Sequence, residues 1–233
     1  MRVVMINGQS HMSSSYHIGR MLAERLAPDA DITEFFLPRD MPHFCLGCTQ
    51  CFLKSETLCP HAAVLAPITA AMDAADVLIL TSPVYVYHAS GSMKAFLDHY
   101  SWRWMVHRPE PKMFQKQAAV ISTAAGGGMK STNRDMADSL FFWGVPRIYR
   151  YGLAVRASRW EDVSAGRRAA AERWAKRTAG RIRRRNGKVS PGIRTRAFFM
   201  LMRPLIKKNL NPADKTYWET RGWFGKARPW KSE

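Results

Sequence analysis

The chain contains four cysteines, and all of them lie within one short stretch of the sequence. Two residues separate Cys45 from Cys48 and Cys48 from Cys51, and Cys59 follows after seven more residues. Thiolates at this spacing can present three sulfurs to one face of a [4Fe-4S] cluster, and the fourth cysteine then completes the ligand set. A four-cysteine zinc site and free, redox-active thiols are alternatives, although zinc sites usually pair their ligands as two Cys-x-x-Cys knuckles. The cluster of cysteines therefore indicates a metal or redox site in a reducing compartment rather than a disulfide framework.

A loop rich in hydroxyl groups is the second group of residues suited to binding a ligand. It reads Asn7-Gly-Gln-Ser-His-Met-Ser-Ser-Ser15 and joins the first predicted strand to an amphipathic helix. The free amides and positive dipole end of a helix N-terminus suit a phosphate, and short hydroxyl side chains can donate to its oxygens. A helix cap explains one or two serines but not the whole group, and the loop lacks the Walker and dinucleotide-binding glycine patterns. We therefore predict a phosphate site here.

Two further loops follow the third and fourth predicted strands. The first reads Ser82-Pro-Val-Tyr-Val-Tyr-His88, and the second reads Thr123-Ala-Ala-Gly-Gly-Gly128. Ligands of open parallel sheets bind at the carboxyl ends of the strands, where these loops would meet the hydroxyl-rich loop. Glycines allow the backbone to approach a ligand, and Tyr85 or Tyr87 offers a face for stacking. The three loops together predict a site for a flat ligand, with Tyr87 or His88 as candidates to cover its open side.

Apolar runs alternate with helical patterns along the first 185 residues, which is typical of a parallel sheet covered by helices on both faces. The predicted strands lie over 3–6, 32–37, 76–81, 118–123 and 148–153, and the predicted helices over 14–26, 62–75, 92–106, 129–143 and 161–185. This order predicts an α/β fold with a doubly wound, five-stranded parallel sheet. We expect this domain to occupy residues 1–185 and a basic helical C-terminal extension to occupy residues 186–233.

Positive charge is concentrated in the second half of the chain. The net charge is +18, yet residues 1–125 contain 10 basic and 10 acidic residues, so 26 basic and 8 acidic residues belong to 126–233. A solvated helix surface, an acidic protein partner, an anionic membrane surface or nucleic acid would each account for this asymmetry. Nucleic acid is the least favoured, because we find no binding module and few aromatic residues among the charges.

Several motifs within roughly the first 155 residues resemble those of the flavodoxin-like NAD(P)H-dependent FMN reductases, including the iron-sulfur flavoproteins. The motifs are Asn7-Gly8 followed by hydroxyl residues, the segment 42–52, Asp76-Val-Leu-Ile-Leu-Thr-Ser-Pro-Val-Tyr85 and Ser90-Gly-Ser-Met-Lys-Ala-Phe-Leu-Asp98. The segment 214–223 is also similar to the tails of some members. The first loop departs from the family pattern Gly-Ser-Pro-Arg, because Gln9 and His11 stand here and an arginine counter-charge is absent.

The resemblance implies FMN as a cofactor and NAD(P)H as a co-substrate. It implies that Ser10, His11, Ser13 and Ser15 surround the FMN phosphate and that the two other loops line the flavin ring. The ring residues so implied are Pro83, Val84 and Tyr85 on one side and Thr123, Ala124, Gly126 and Gly127 on the other. The resemblance also implies a [4Fe-4S] cluster on the four cysteines, although some similar reductases carry such a loop as thiols alone. No catalytic acid or base is implied, since the cofactor supplies the chemistry.

The C-terminal extension contains a basic amphipathic pattern over 194–210 that is interrupted at Pro204. Such a segment suits an anionic membrane surface or a contact with a second subunit. We favour the second subunit, because flavodoxin-like reductases commonly form dimers with flavin sites near the interface. The histidines at 43, 61, 99 and 107 show no ligand spacing, and we predict that they are structural.

The sequence interpretation is a homodimeric, FMN-dependent NAD(P)H oxidoreductase that reduces a small acceptor such as a quinone or a flavin. One alternative is a flavodoxin-like electron-transfer protein that serves an acidic redox partner without nicotinamide turnover. Another is a basic adaptor protein that keeps the fold and binds no cofactor. The sequence shows no apolar run of about 20 residues and no signal peptide pattern, so we expect a cytoplasmic protein.

Overall fold

Five parallel strands form a central sheet, and helices cover both of its faces. The computed structural model describes residues 1–208 and 211–231. The strands are β1 (Val3–Asn7), β2 (Ile32–Phe36), β3 (Val77–Tyr85), β4 (His88–Ala89), β5 (Gln117–Ala124) and β6 (Arg147–Ala154). The helices are α1 (Ser14–Glu24), α2 (Gln50–Leu53), α3 (Ala62–Ala74), α4 (Gly91–His99), α5 (Met129–Phe142), α6 (Ala165–Arg185), α7 (Ile193–Lys207) and α8 (Pro212–Thr220).

The strand order confirms the predicted fold class. The strands lie in the order β2-β1-β3-β5-β6 with parallel neighbours, and the two-residue strand β4 pairs antiparallel with the end of β3. Without β4 this is the order 2-1-3-4-5 of the flavodoxin-like doubly wound sheet. The carboxyl ends of β1, β3 and β5 therefore lie side by side at one edge of the sheet.

Alternating side chains of each strand enter two separate cores. In β1, Val4 and Ile6 pack with helices α3, α4 and α5 on one face, whereas Val3 and Met5 pack with α1 and α6 on the other. All four side chains are at most 2% exposed. Burial on both faces explains why the central strands are apolar throughout, as is usual for parallel sheets.

Several element boundaries differ from the sequence prediction. Strand β3 continues to Tyr85, beyond the predicted end at residue 81, because its last residues pair with β4. Helix α4 ends at His99 rather than near residue 106, and the Tyr100 carbonyl instead accepts a hydrogen bond from the Trp143 indole. The short elements β4 and α2 had no counterpart in the prediction, because two and four residues are too few to show a period.

The extension folds back onto the first domain through a third core. Helix α7 contains Pro204 and continues to Lys207, so the predicted interruption at Pro204 is wrong. The core combines residues before strand β5 with residues of α7, α8 and the following turn; its buried members are Met105, Phe114, Phe199, Ile206, Trp218 and Trp223. Arg203 fastens α7 to the turn by donating to the carbonyl oxygens of Trp223 and Phe224. The domain boundary after Arg185 stays a prediction.

Residues 209 and 210, at the end of the predicted amphipathic segment, and residues 232 and 233, at the end of the extension, lie outside the described residues. Within the described ranges, no helix combines the length and the apolar character needed to cross a bilayer.

Candidate functional site

The hydroxyl-rich loop is fixed against the end of strand β3 by three hydrogen bonds. The Gly8 amide donates to the Thr81 carbonyl at 2.7 Å, and the Ser90 hydroxyl donates to the Gly8 carbonyl at 2.6 Å. The Ser90 amide donates in turn to the hydroxyl of Ser82 at 2.9 Å. A side chain at Gly8 has no room, since its Cβ would lie 2.7 Å from the Ser90 hydroxyl oxygen. Gly8 and its contacts with Thr81 and Ser90 therefore determine where the loop leaves the sheet.

The N-terminus of helix α1 offers donors for an anion at the end of this loop. The Ser13 hydroxyl caps the helix by accepting from the Tyr16 amide at 3.5 Å and lies 2.9 Å from the Ser15 hydroxyl. Within the described residues, the amides of Ser14 and Ser15 donate to no other backbone group, and the first turn of α1 carries no acidic side chain. Such unsatisfied amides and the helix dipole favour a phosphate.

The loop after β3 forms a tight hairpin turn at the tip of the site. Val86 and Tyr87 occupy its two central positions with φ of 48° and 66°, a left-handed conformation that normally selects asparagine and glycine. A β-branched residue is strained in this region, and such strain is concentrated at ligand-binding and switch segments. The side chains are nonetheless turned outward: Tyr85 is 51% exposed, Val86 93% and Tyr87 69%.

Gln9 connects the hydroxyl-rich loop to this hairpin. Its side-chain amide donates to the Tyr85 hydroxyl at 2.5 Å, while its Oε1 atom is buried without a partner among the described residues. A buried acceptor without a donor costs free energy, which a ligand N–H or O–H group placed there would recover. Gln9, one of the two residues that depart from the family loop pattern, thus supplies a free acceptor at the mouth of the site.

The glycine-rich loop after β5 borders the site on the side of the hairpin. Gly128 has a φ of 90°, and a Cβ there would lie 2.5 Å from Val84 Cγ1, so only glycine fits between the two loops. A Cβ on Gly127 would touch the Tyr87 hydroxyl at 3.5 Å, whereas one on Gly126 would meet no atom within 4 Å. The loop therefore leaves an open strip of backbone, which a planar ring can approach closely.

These observations bring the sequence-predicted FMN residues to one edge of the sheet. Pro83 and Thr123 are register partners on β3 and β5, and Val84, Tyr85 and Ala124 complete the ends of these strands. Ser15 lies in the first turn of α1, and the remaining residues lie on the adjoining loops; these are Ser10, His11, Ser13, Gly126 and Gly127. Ser10 and His11 are exposed, Ser13 is half-buried, and Ser15 is 1% exposed. The arrangement fits a phosphate joined to a flat ring, and the individual ligand contacts stay predictions.

The four cysteines converge on a second site, the cysteine loop (residues 45–59). Cys45, Cys48, Cys51 and Cys59 all line one cavity of about 50 Å³. Burial raises the pKa of the Cys51 thiol, and the proximity of the other three sulfurs raises it further. The described cysteines form no disulfide. A compact set of four sulfur donors fits a [4Fe-4S] cluster, while zinc and free thiols remain compatible with the same donors.

Three histidines gather beside Cys59, which corrects the prediction that they have no ligand arrangement. His61 Nδ1 lies 2.9 Å from His99 Nε2, and the Cys59 sulfur is within 4.8 Å of both ring nitrogens. The His43 ring stacks on His61 with centroids 4.4 Å apart. His99 Nδ1 donates to the Ala95 carbonyl at 2.8 Å, so Nε2 is the ring nitrogen that faces His61. The sequence contained one sign of this grouping: His43 lies two residues before Cys45, and His61 lies two residues after Cys59.

A buried ion pair joins the cysteine loop to the C-terminal extension. The Arg108 guanidinium donates to the carbonyl oxygens of Cys51 and Phe52, and to the Asp214 carboxylate at 2.6 Å. The second Asp214 oxygen accepts from Nδ1 of His107 at 2.7 Å. Arg108 is 5% exposed and Asp214 2%. We call these three residues, His107, Arg108 and Asp214, the tail clamp.

Helix α8 adds further contacts around the tail clamp. The Asn211 side-chain amide donates to the Phe52 carbonyl at 2.8 Å, directly beside the Arg108 contact. The indole of Trp218 donates to the His107 carbonyl at 2.6 Å, and the Tyr217 hydroxyl donates to the Pro109 carbonyl at 2.7 Å. The extension thus binds the cysteine loop directly through Asn211, and it also holds the segment 107–109 that carries Arg108.

Comparisons with known proteins match the first two thirds of the chain. The family described as NADPH-dependent FMN reductase matches residues 1–158. An iron-sulfur flavoprotein from Archaeoglobus fulgidus is 30% identical over 115 residues, which are 48% of this chain and 50% of that protein. The chain therefore aligns with about half the length of this curated relative.

Solved structures with the same fold are more distant in sequence. A flavone reductase superposes with a TM-score of 0.56 at 15% identity, over 78% of this chain and 63% of that one. An FMN-dependent NADH-azoreductase from Bacillus anthracis superposes with a TM-score of 0.55 at 12% identity, over 77% of this chain and all of that one. At these identities the similarity concerns the fold alone.

Proposed function

Because the chain belongs to the NADPH-dependent FMN reductase family, we propose that it is an FMN-dependent NAD(P)H oxidoreductase that passes electrons to a small acceptor such as a quinone or a flavin. One observation carries the proposal. The N-terminus of α1, whose first amides have no backbone partner among the described residues, lies beside the hairpin that exposes Tyr85 and Tyr87 and the glycine-rich loop after β5. A phosphate site beside a flat slot is what FMN requires.

The proposed roles of the chain's residues follow from their positions. The amides of α1, together with Ser10, His11, Ser13 and Ser15, would hold the phosphate, and Gln9 Oε1 would accept from a polar group of the ligand. The residues along the ring would be Pro83, Val84 and Tyr85 on one side and Thr123, Ala124, Gly126 and Gly127 on the other. When bound, FMN supplies hydride and electron transfer, and the chain positions it and keeps water from one side. Tyr87 and His88 would cover the open side.

We further propose that the cysteine loop carries a [4Fe-4S] cluster, with Cys45, Cys48, Cys51 and Cys59 as ligands. Support comes from the shared cavity of the four sulfurs and from the 30% identical relative that is named an iron-sulfur flavoprotein. Zinc or free thiols are the competing occupancies.

A homodimer is part of the proposal. The hairpin exposes Tyr85, Val86 and Tyr87 around the proposed flavin slot, and Met12, on the first loop, is 61% exposed. A second copy seated here would cover these apolar side chains and complete the slot. Four closely spaced cysteines without a disulfide among the described residues suit a reducing compartment, so we propose a cytoplasmic location.

An electron-transfer protein without nicotinamide turnover is the second candidate, and the charge favours it. The net charge of +18 is concentrated in the second half of the chain and would attract an acidic redox partner. The two candidates differ in steady-state turnover. An oxidoreductase oxidises NADPH or NADH continuously when a quinone is supplied, whereas a carrier binds FMN and shows no such turnover.

The FMN site is tested by Ser10→Glu, with Ser10→Gln as a control of equal size. Ser10 is exposed, so neither change should affect folding. A carboxylate about 4 Å from the phosphate repels it by about 1 kcal/mol even in water, so we expect FMN to bind at least about fivefold more weakly to Ser10→Glu than to Ser10→Gln. Titration of FMN fluorescence measures both affinities, and riboflavin, which lacks the phosphate, should bind the two variants equally. Equal FMN affinities would remove the phosphate from this loop.

A further inference from the structure

Helix α7 buries one face within its own chain. Phe199 and Ile206 are at most 4% exposed and belong to the third core. The Phe199 ring stacks on Trp218 with centroids 4.5 Å apart and an interplanar angle of 17°. The inner face of the helix is therefore satisfied without a second subunit, although the sequence pattern alone suggested one.

The outer face of α7 is also apolar, and it is exposed. Ile193 is 87% exposed, Leu201 61%, Leu205 42% and Met200 41%. By the 3.6-residue period Leu201 lies nearly opposite Phe199, with Ile193 and Leu205 on either side of it, while Met200 lies at the edge, about a quarter turn from Phe199. Ile193, Leu201 and Leu205 thus form an exposed apolar stripe with Met200 at its margin, the kind of surface that marks an interaction site.

Basic residues surround this stripe at both ends of the helix. Arg194 and Arg196 flank its beginning, Lys207 and Lys208 flank its end, and all four are exposed. The sequence of α7 contains no acidic residue. The extension as a whole, residues 186–233, has 11 basic and 3 acidic residues, and one of the acidic residues is the buried Asp214. The partner of this face must therefore combine apolar and anionic character.

A second copy of the chain is a poor match for this face. In a two-fold symmetric contact each copy presents the same surface, so the four basic residues of one helix would face the four of the other. Like charges brought together in this way oppose association. The face is also the convex outer side of a helix, which a fluid surface can accommodate without a preformed groove.

We propose that α7 docks the protein onto an anionic lipid surface. The helix lies in the plane of the membrane interface, with Ile193, Leu201 and Leu205 in the boundary between headgroups and acyl chains. The basic residues at its two ends contact the lipid phosphates. This inference rests on the surface of the extension and is independent of the proposed flavin chemistry.

Vesicle sedimentation tests the proposal directly. The full-length protein is mixed with phosphatidylcholine vesicles that contain or lack phosphatidylglycerol. Each basic residue near an anionic surface strengthens binding about fivefold at low salt, so the four predict a preference of at least about a hundredfold for the anionic vesicles. Binding should weaken as salt is added.

Two pairs of substitutions localise the contact. Leu201→Gln with Leu205→Gln should reduce binding to anionic vesicles at least about tenfold, because both leucines leave the acyl boundary. Leu53→Gln with Leu58→Gln is the matched control, since these leucines are 61% and 51% exposed but lie on the cysteine loop. Unchanged circular dichroism establishes that each variant is folded.

Four results would overturn the proposal. The first is equal binding to neutral and anionic vesicles. The second is undiminished vesicle binding by the Leu201→Gln, Leu205→Gln variant. The third is a parent protein that does not bind vesicles and is a dimer by light scattering, together with a variant that is a monomer. The face would then belong to a second copy. The fourth is binding of the protein to an acidic polypeptide but not to the vesicles, which would assign the face to a protein partner.

Discussion

Replacing Asp214 by asparagine should destabilise the protein by releasing the cysteine loop. The substitution removes the negative charge that accepts from Arg108 at 2.6 Å and from His107 at 2.7 Å. Arg108 is only 5% exposed, so its charge stays buried. Removing one member of a buried ion pair costs about 3–5 kcal/mol.

Two features of the site reduce this cost. Asparagine keeps one oxygen that can accept from Arg108, and the Glu56 carboxylate lies 3.5 Å from the same guanidinium. Glu56 is 40% exposed and therefore compensates only weakly. We expect a loss of about 2–4 kcal/mol in the free energy of unfolding. For a chain of this size each kcal/mol lowers Tm by about 2–4 °C, so the melting temperature should fall by roughly 5–15 °C.

Thermal unfolding followed by circular dichroism measures the total effect, and thiol labelling of the metal-free protein reports on the loop itself. Cys51, whose backbone carbonyl accepts from Arg108, should be labelled faster in the variant because the loop opens more often. Glu219→Gln is the matched control: Glu219 is on the same helix, is 52% exposed, and among the described residues its carboxylate forms an ion pair only with Lys215, at 3.9 Å. The reasoning is refuted if Asp214→Asn and Glu219→Gln melt within about 2 °C of each other or label Cys51 at the same rate.

Three other changes test separate parts of the structure. Gly128→Ala should weaken FMN binding and lower stability by about 1–3 kcal/mol, because the residue combines a φ of 90° with a Cβ 2.5 Å from Val84. Gly166→Ala, in open space on α6 and away from the proposed FMN site, should do neither in the same titration and melt. Burial lowers the pKa of Lys116 to about 8 in the folded state, so the unfolded state binds more protons above that pH; stability should rise from pH 8 toward 10 by about 2 kcal/mol relative to Lys116→Met in urea titrations. Cys48→Ser should change a brown protein to yellow if the cluster is present, and an unchanged visible spectrum with unchanged iron content would exclude it.

Local patterns predicted the sheet well because burial on two faces leaves a continuous apolar run. All five predicted strands are present, and the predicted start of α5 at Met129 matches the structure. That the three candidate loops lie side by side was predictable from topology, because the position of a strand end in a parallel sheet determines which loops are neighbours. The grouping of the four cysteines around one cavity was predictable from their spacing alone.

Long-range polar contacts could not be predicted from these patterns. Arg108 and Asp214 are 106 positions apart, and nothing local distinguishes that arginine among 36 basic residues. The contact between His61 and His99 likewise requires that α4 lie beside the cysteine loop, which no single segment specifies. The Val86-Tyr87 turn was missed because its backbone contradicts the preference of valine, and only pairing of β3 with β4 imposes it.

The tail clamp also sets an order of events during synthesis. Cys59 precedes Asp214 by about 150 positions, so at roughly 5–20 residues per second the nascent loop waits about 8–30 s for its anchor. During that interval Arg108 emerges, but the loop lacks the Asp214 carboxylate that neutralises this arginine and the Asn211 contact to Phe52. Emergence of α8 from the ribosome then completes the anchoring of the loop.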